Sequence, residues 1–150
     1  MSRIEEEISQ NKFKSARQKA VINLIYTANW LQSRQQEYFK TFGITGQQFN
    51  ILRILKGQFP ISISGTEIKS RMLDRNSDVS RLLDRLAAKK FITKNTCPND
   101  KRASDVRITE TGLALLNQIG KDQKQDDMLS LSDEEAGRLS DLLDKARSGN

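Results

Sequence analysis

The stretch that decides the fold is residues 64–109, and within it the segment Arg75-Asn-Ser-Asp-Val-Ser-Arg-Leu-Leu-Asp-Arg-Leu-Ala-Ala-Lys-Lys90. Apolar residues recur in this segment at the i, i+3, i+4, i+7 spacing, which predicts a helix with one buried face. The apolar positions are Val79, Leu82, Leu83 and Leu86, and the opposite face carries Ser77, Ser80, Arg81, Asp84, Arg85 and Ala88. A face of short polar groups and arginines suits a DNA major groove. The alternative, for the helix taken alone, is an ordinary solvated surface helix.

Two strand-like segments separated by a charged loop follow this helix. Residues 91–97 and 104–109 are rich in β-branched side chains, and residues 98–103 between them are typical of a turn. A basic hairpin beside a groove-binding helix is a wing, whose tip can place an arginine in the minor groove. Residues 61–63 could add a short third strand. The sequence therefore predicts a mainly α fold with a small β-wing, a winged helix-turn-helix.

The net positive charge of the chain is concentrated in this region. The whole chain has 25 Lys and Arg against 19 Asp and Glu, a net charge of +6. Residues 69–107 contain eleven of the basic and five of the acidic residues, so the remaining 14 basic and 14 acidic residues cancel. Such a localised excess is typical of a phosphate-binding surface.

Three groups of candidate DNA contacts follow from these patterns. Lys69 and Arg75 are assigned to phosphates. The recognition helix and the residues leading into it supply Asn76, Ser77, Ser80, Arg81 and Arg85, and the wing supplies Lys94, Asp100, Lys101 and Arg102. We expect Arg102 to enter the minor groove and Asp100 to orient it through charge-assisted hydrogen bonds. The alternative is a solvated turn whose ion pair contributes little.

Composition argues against an enzyme and against a metal site. The chain has no histidine and one cysteine, so the commonest general base and the usual zinc ligands are missing. No glycine-rich phosphate loop is present. We therefore expect no catalytic residue, no cofactor and no metal. Cys97 lies near Lys94 and Arg102 in sequence, which leaves a redox role open beside the simpler interpretation of an inert thiol.

The start of the chain does not resemble a signal peptide, and no apolar run approaches the ~18 residues of a membrane span. A single cysteine cannot form an internal disulfide, which fits a reducing compartment. These features predict a cytoplasmic protein with no membrane partner.

The two ends of the chain are predicted to form a separate helical layer. Residues 13–40 fit one long helix, and Thr45 with Gln48, Ser64 with Glu67, and Ser132 with Glu135 fit capping boxes at three later helix starts. Thr109 fits the cap of a further helix. We interpret the chain as one domain over 1–150, with the DNA-binding part at 44–112 and dimerisation parts at 1–43 and 113–150. The alternative is that the end helices only cover their own domain.

The segment from Leu86 to Gly112 resembles the wing signature of the MarR family of bacterial transcription regulators. Asp100-Lys-Arg102 matches the family's charged wing tip, and Ile108-Thr-Glu-Thr-Gly112 matches the end of the second wing strand. Ile44-Thr-Gly-Gln-Gln-Phe49 resembles the start of the preceding helix in the family. Lys90 departs from the pattern, because the family usually has glycine where the recognition helix ends.

The resemblance implies a homodimeric bacterial regulator that binds double-stranded DNA, most often a repressor on a pseudo-palindromic operator. It also implies an effector, since members of the family often bind small aromatic acids or phenolic compounds and then release DNA. Candidate pocket residues are Trp30, Arg34, Tyr38 and Phe49, whose alternative role is plain core packing. The competing function is a winged-helix module for protein-protein assembly without specific DNA binding.

Overall fold

The computed structural model describes residues 2–97, 100–122 and 127–149, with side chains left aside at 96–104. Within these ranges the chain forms seven helices and three strands. In chain order these are α1 (Ile4–Glu7), α2 (Ala16–Lys40), α3 (Gly46–Gln58), β1 (Ile63–Ser64), α4 (Gly65–Arg71), α5 (Val79–Ala88), β2 (Ile92–Cys97), β3 (Asp100–Ile108), α6 (Glu110–Gly120) and α7 (Asp133–Arg147). The prediction of a mainly helical fold with a small β-wing is confirmed.

The three strands form one antiparallel sheet in the order β1-β3-β2. Ile63 pairs with Val106, which places the third strand at Ile63–Ser64, slightly later than the expected 61–63. The pairing of β2 with β3 runs from Ile92–Ile108 to Cys97–Asp100, with an irregular register between Thr96 and Cys97. The prediction of a loop over 98–103 was wrong for residues 100–103, because they continue β3.

The sequence-predicted helix starts are confirmed by their caps. Thr45 and Gln48 cap each other at the start of α3, and Ser132 and Glu135 do the same at α7. Thr109 accepts a hydrogen bond from the backbone N–H of Gly112 at 3.1 Å. These side chains satisfy N–H groups that the first turn of a helix leaves without partners.

Only half of the box predicted at Ser64 forms. Ser64 accepts from the N–H of Glu67 at 3.1 Å, but the Glu67 carboxylate pairs with Arg71 at 2.6 Å instead of closing the box. Helix α4 therefore begins where the sequence places it, with one reciprocal hydrogen bond fewer.

The main hydrophobic core lies between α3, α4, α5, α6 and the sheet. Its fully buried side chains include Ile51, Leu52, Leu55, Ile68, Leu83, Leu86 and Val106. The apolar face predicted for α5 is buried there in full. At about 1.5–3 kcal/mol per large aliphatic side chain, this burial fixes the position of α5 on the body.

A smaller cluster attaches the end of α2 to the body. Phe39 is 2% exposed and stacks on Phe49 with ring centroids 4.5 Å apart, and Ile44 and Ile119 complete the contact. Phe39 is also the one buried residue of α2. The rest of this 25-residue helix therefore extends beyond the core of its own chain.

Long apolar side chains remain exposed on the terminal helices. On α2, Val21, Leu24 and Ile25 are 49–58% exposed, and α7 has no buried residue and leaves Leu142 at 64%. On α2 these side chains lie at i, i+3 and i+4 and so form one apolar stripe, and such a stripe often marks an interface.

The short helix α1 folds back on α2, a feature that the sequence analysis did not predict. Ile4 is buried, Glu5 forms an ion pair with Lys19, and the Tyr26 hydroxyl donates to the Glu7 carboxylate at 2.7 Å. Four residues give no readable periodicity, and these contacts join positions 14 and 19 residues apart. Separately, none of the helices in the described ranges is long and apolar enough to cross a membrane.

Candidate nucleic-acid interface

The recognition helix α5 presents a polar face to solvent. Ser80, Arg81, Asp84 and Arg85 are exposed, while the four apolar positions of the helix are buried. The amphipathic pattern read from the sequence is therefore correct. The exposed surface of α5 therefore carries two arginines, one serine hydroxyl and one carboxylate.

The helix begins at Val79, so the expected start at Arg75 was wrong. Asp78 is the cap and accepts from the N–H of Arg81 at 3.2 Å. Asp74 accepts from the N–H of Asn76 at 2.9 Å, which closes a local turn before the cap. Asn76 and Ser77 thus lie in the turn between α4 and α5.

Ser77 does not lie on the exposed face. Its side chain is buried, at 4% exposure, and its hydroxyl donates to the backbone oxygen of Asp74 at 2.8 Å. The same hydroxyl accepts from the Gln47 side chain at 3.2 Å. Because its hydrogen bonds are used internally, Ser77 positions the turn and is withdrawn from the set of candidate DNA contacts.

The recognition helix ends in a left-handed residue that is not glycine. Lys90 has φ of 64°, its N–H donates to the oxygen of Ala87 at 3.0 Å, and the N–H of Phe91 donates to the oxygen of Leu86 at 3.1 Å. This pair of bonds is a Schellman motif. Lys90 therefore takes the conformation that glycine takes more easily, and the wing leaves the helix in the ordinary way.

The base of the wing is joined to the end of α5 at Thr109. The Thr109 hydroxyl donates to the oxygen of Lys90 at 2.7 Å, and its N–H donates to the oxygen of Phe91 at 3.0 Å. A Cβ on Gly112 would lie 2.7 Å from Ile108 Cγ1 and closer still to the oxygen of Phe91. The threonine and glycine of the wing signature thus have a physical role in close packing.

A cleft beside the recognition helix collects several predicted contacts. It has a volume of about 550 Å³ and lies between the start of α4, the turn, the start of α5 and β2. Lys69, Asn76, Ser80 and Lys94 are among its lining residues. We call it the helix-turn-helix cleft. Its hydroxyls, amide and ammonium groups are the donors that bind a DNA backbone.

Lys94 connects the wing to the recognition helix. Its ammonium group lies 3.1 Å from the carboxylate of Asp84 and is partly buried, with 24% of the side chain exposed. The pair neutralises the acid on the outer face of α5. The sequence pattern predicts Lys94 in the wing but not this contact, because the two residues belong to different elements.

The remaining cations are exposed and distributed around the turn and helix. Lys69, Arg75, Arg81 and Arg85 form no ion pair within the described residues. Arg85 lies apart from the helix-turn-helix cleft and lines a different cavity, of about 510 Å³, together with Lys40 and Lys89. The positive surface therefore extends from the cleft around the end of the helix.

The predicted wing contacts Asp100, Lys101 and Arg102 lie in the backbone of β3, and their side chains fall outside the described residues. The same holds for Cys97 at the end of β2. Their assigned roles stay predictions.

The four residues expected to line an effector pocket are not brought together. Arg34 lies over the ring of Trp30 at 5.0 Å, on the exposed surface of α2. Tyr38 and Phe49 pack instead in the Phe39 cluster. Tyr38 and Phe49 thus take part in core packing, and a pocket role for the four side chains stays a prediction.

A helix-turn-helix with a basic exposed helix face and a β-wing defines a DNA-binding protein of the winged-helix class. The chain matches the MarR family over residues 44–104. It is 31% identical over 127 residues to the multiple antibiotic resistance protein MarR of Escherichia coli strain K12, covering 81% of this chain and 87% of the relative. The chain belongs to the MarR family of transcription regulators, so the expectation that it is not an enzyme is confirmed.

Two solved structures show the same fold. A C80S mutant of MarR from E. coli complexed with operator DNA is 27% identical, with a TM-score of 0.69 and coverage of 97% of this chain and 99% of that one. A structure of BpsR from Bordetella bronchiseptica, concerned with regulation of its DNA binding by 6-hydroxynicotinic acid, is 21% identical, with a TM-score of 0.66 and coverage of 83% and 98%. At that identity the second likeness shows the fold alone.

Proposed function

We propose that the protein is a homodimeric repressor that binds a pseudo-palindromic operator in double-stranded DNA of a bacterial cytoplasm. The observation that carries the proposal is the exposed face of α5, where Ser80, Arg81 and Arg85 stand beside the basic helix-turn-helix cleft. The complex of the related E. coli protein with operator DNA supports it.

Each group of residues has a distinct role in this proposal. Ser80, Arg81 and Asn76 reach base edges in the major groove, whereas Lys69 and Arg75 contact phosphates. Lys94 contacts a phosphate from the wing and neutralises Asp84 on the outer face of α5. In the wing, Lys101 and Arg102 approach the minor groove, and Asp100 orients Arg102.

The dimer is supported by the exposed apolar surface of the terminal helices. Val21, Leu24 and Ile25 of α2, and Leu142 of α7, have no cover within the described part of the chain. We infer that residues 1–43 and 113–150 interleave with a second copy, while residues 44–112 bind DNA. A two-fold dimer then places two recognition helices about one helical turn of DNA apart.

Release of DNA by a small aromatic or phenolic compound completes the proposal. Its support is the effect of 6-hydroxynicotinic acid on BpsR and the presence of cavities next to the helix-turn-helix of this chain.

The test is a titration of a duplex selected from random DNA, at several salt concentrations and with substituted proteins. We expect log K to fall steeply and linearly with log salt. Arg81→Ala should lose about 1–3 kcal/mol on the selected site and much less on random duplex, because it loses base contacts. Arg102→Ala should lose a similar amount with an almost unchanged melting temperature.

The matched control is Arg138→Ala, which removes the same charge from an exposed pair on α7. It should change neither affinity. An affinity that does not respond to salt contradicts the proposed function as a whole. An equal loss on both duplexes for Arg81→Ala would reassign Arg81 to a phosphate.

A further inference from the structure

The cavity of about 510 Å³ that Arg85 lines is the most strongly basic concave surface among the described residues. It lies between the end of α2, the start of α3 and the end of α5. Three cations, one from α2 and two from the end of the recognition helix, stand around it: Lys40, Arg85 and Lys89. We call it the basic cavity.

The positive charge of the basic cavity is not neutralised from within. No acidic side chain among the described residues lines it, and Lys40, Arg85 and Lys89 form no ion pair there. Asp84, which precedes Arg85 in sequence, is already paired with Lys94. Cations that gather without an acid repel one another, so an anion that enters the cavity is stabilised by all three.

The cations are attached to well-packed parts of the fold. Lys40 follows Phe39, which is 2% exposed and stacks on Phe49. The Lys89 ammonium donates to the backbone oxygen of Gly43, in the turn after α2. This contact ties the end of α5 to the end of α2, and the other N–H groups of the ammonium can still donate to a ligand.

The wing and the basic cavity lie on different sides of the recognition helix. Successive residues of a helix point about 100° apart. Asp84 faces the wing through Lys94, whereas Arg85 faces the basic cavity. When α5 lies in a major groove, the wing is therefore directed toward one wall of the groove and the basic cavity toward the other.

We propose that the basic cavity binds the DNA backbone on the wall of the major groove across from the wing, with Lys40, Arg85 and Lys89 on its phosphates. Lysine and arginine side chains are the usual partners of DNA phosphates. Arg85 is then a phosphate contact, unlike Arg81, and the DNA-binding surface extends beyond residues 44–112 into the end of α2. This inference rests on the proposed function.

The first test replaces Lys40, which is exposed and has no role in the core. Lys40→Gln removes one charge from each chain of the proposed dimer. We expect it to lower affinity about tenfold on the selected duplex and on random duplex alike, and to reduce the slope of log K against log salt by about 2. Lys40→Arg keeps the charge and should keep both values. Arg85→Ala should also weaken both duplexes by one common factor.

The matched control is Lys56→Gln, which removes the same charge from an exposed residue at the opposite end of α3. It should change neither the affinity nor the salt slope. A loss equal to that of Lys40→Gln would mean that only the net charge matters, and it would overturn the proposal. A loss confined to the selected duplex in Arg85→Ala would make Arg85 a base contact and overturn its assignment.

The second test locates the contact on the DNA. In a series of selected duplexes, one phosphate at a time is replaced by a neutral methylphosphonate. A replacement that weakens the unsubstituted protein but not Lys40→Gln identifies the phosphate that Lys40 contacts. We expect this phosphate across the major groove from the one that Lys94→Gln identifies in the same way. Two phosphates on the same wall of the groove overturn the proposal.

The two tests also separate this inference from the proposed function. An unsubstituted protein that binds neither duplex disproves both. Salt-dependent binding that Lys40→Gln and Arg85→Ala leave unchanged disproves the role of the basic cavity alone.

Discussion

Lys90 holds a backbone conformation that costs an ordinary residue free energy. At φ of 64° its Cβ crowds the backbone, a penalty of about 1–2 kcal/mol that glycine avoids. Lys90→Gly relieves this penalty but also increases the conformational entropy of the unfolded chain, which offsets part of the gain. The free energy of unfolding should therefore rise by about 0.5–1 kcal/mol. Urea denaturation measures it.

The control for Lys90→Gly is Ala88→Gly, two residues earlier in the last turn of α5. There the backbone is helical, so glycine should lower the free energy of unfolding by about 0.5–1 kcal/mol. Equal losses in both variants would mean that the left-handed position carries no strain.

Position 112 requires glycine because there is no room for a side chain, and not because of its backbone angles. A methyl group there would clash with Ile108 and with the backbone oxygen of Phe91, which already accepts from Thr109. Gly112→Ala should cost about 2 kcal/mol or more, because backbone has to move. Gly57→Ala, on α3 with open space around it, should be neutral or stabilising by up to about 1 kcal/mol. Thermal unfolding of the two variants compares them, and similar melting temperatures would contradict the clash.

At the scale of single elements, helix starts were readable from sequence and turns were not. A cap and its partner lie three residues apart, so Thr45 with Gln48 and Ser132 with Glu135 carry their own signal. The start of α5 was the exception and was placed four residues early, although its cap Asp78 accepts from the N–H of Arg81 only three residues later. The Asp84–Lys94 pair had no local signature, because its two residues belong to different elements.

The side-chain contacts between α1 and α2 should weaken at both acid and alkaline pH. The hydrogen bond from Lys19 lowers the pKa of Glu5, that from Tyr26 lowers the pKa of Glu7, and the Glu7 carboxylate raises the pKa of Tyr26. The carboxylate contribution is present above the ordinary value of 4.5 and is lost as pH falls through the lowered values. The tyrosine contribution is present below 10.0 and is lost as pH rises through the raised value.

Amide NMR signals of residues 4–7 should therefore move at acid and alkaline pH while the body of the protein stays folded. In Tyr26→Phe the alkaline change should disappear, and the acid change at Glu5 should remain. An alkaline change that persists in this variant would belong to another group.

At the scale of the whole molecule, the sequence predicted the hydrophobic core of the winged-helix part and the net positive charge. It did not predict how the terminal helices attach to that part. The core is predictable because its apolar residues recur at regular spacing, and the net charge is a count of residues in the sequence. The attachment of α2 through Phe39, with Tyr38 packed beside it, depends on three-dimensional packing.

Disrupting the apolar stripe of α2 should separate the two copies without unfolding the body. Ile25 is 58% exposed and is absent from the core, so Ile25→Glu should yield a folded monomer by sedimentation. Deletion of residues 131–150 should give monomers or aggregates. Asn23→Glu, which faces away from the stripe on the same helix, should remain a dimer. A dimer of unchanged affinity in Ile25→Glu would place the interface elsewhere.

The exposed stripe of α2 also has a consequence for how a promoter would respond to gene dosage. In the proposed function the dimer is the form that binds DNA. When the protein is dilute enough for the dimer to dissociate, two chains must associate before they occupy an operator. At low occupancy the repressed fraction then varies with the square of the protein concentration, so halving the number of copies lowers it about fourfold. The exposed apolar residues of α2 would thus make repression depend more steeply on protein concentration than it would for a monomer.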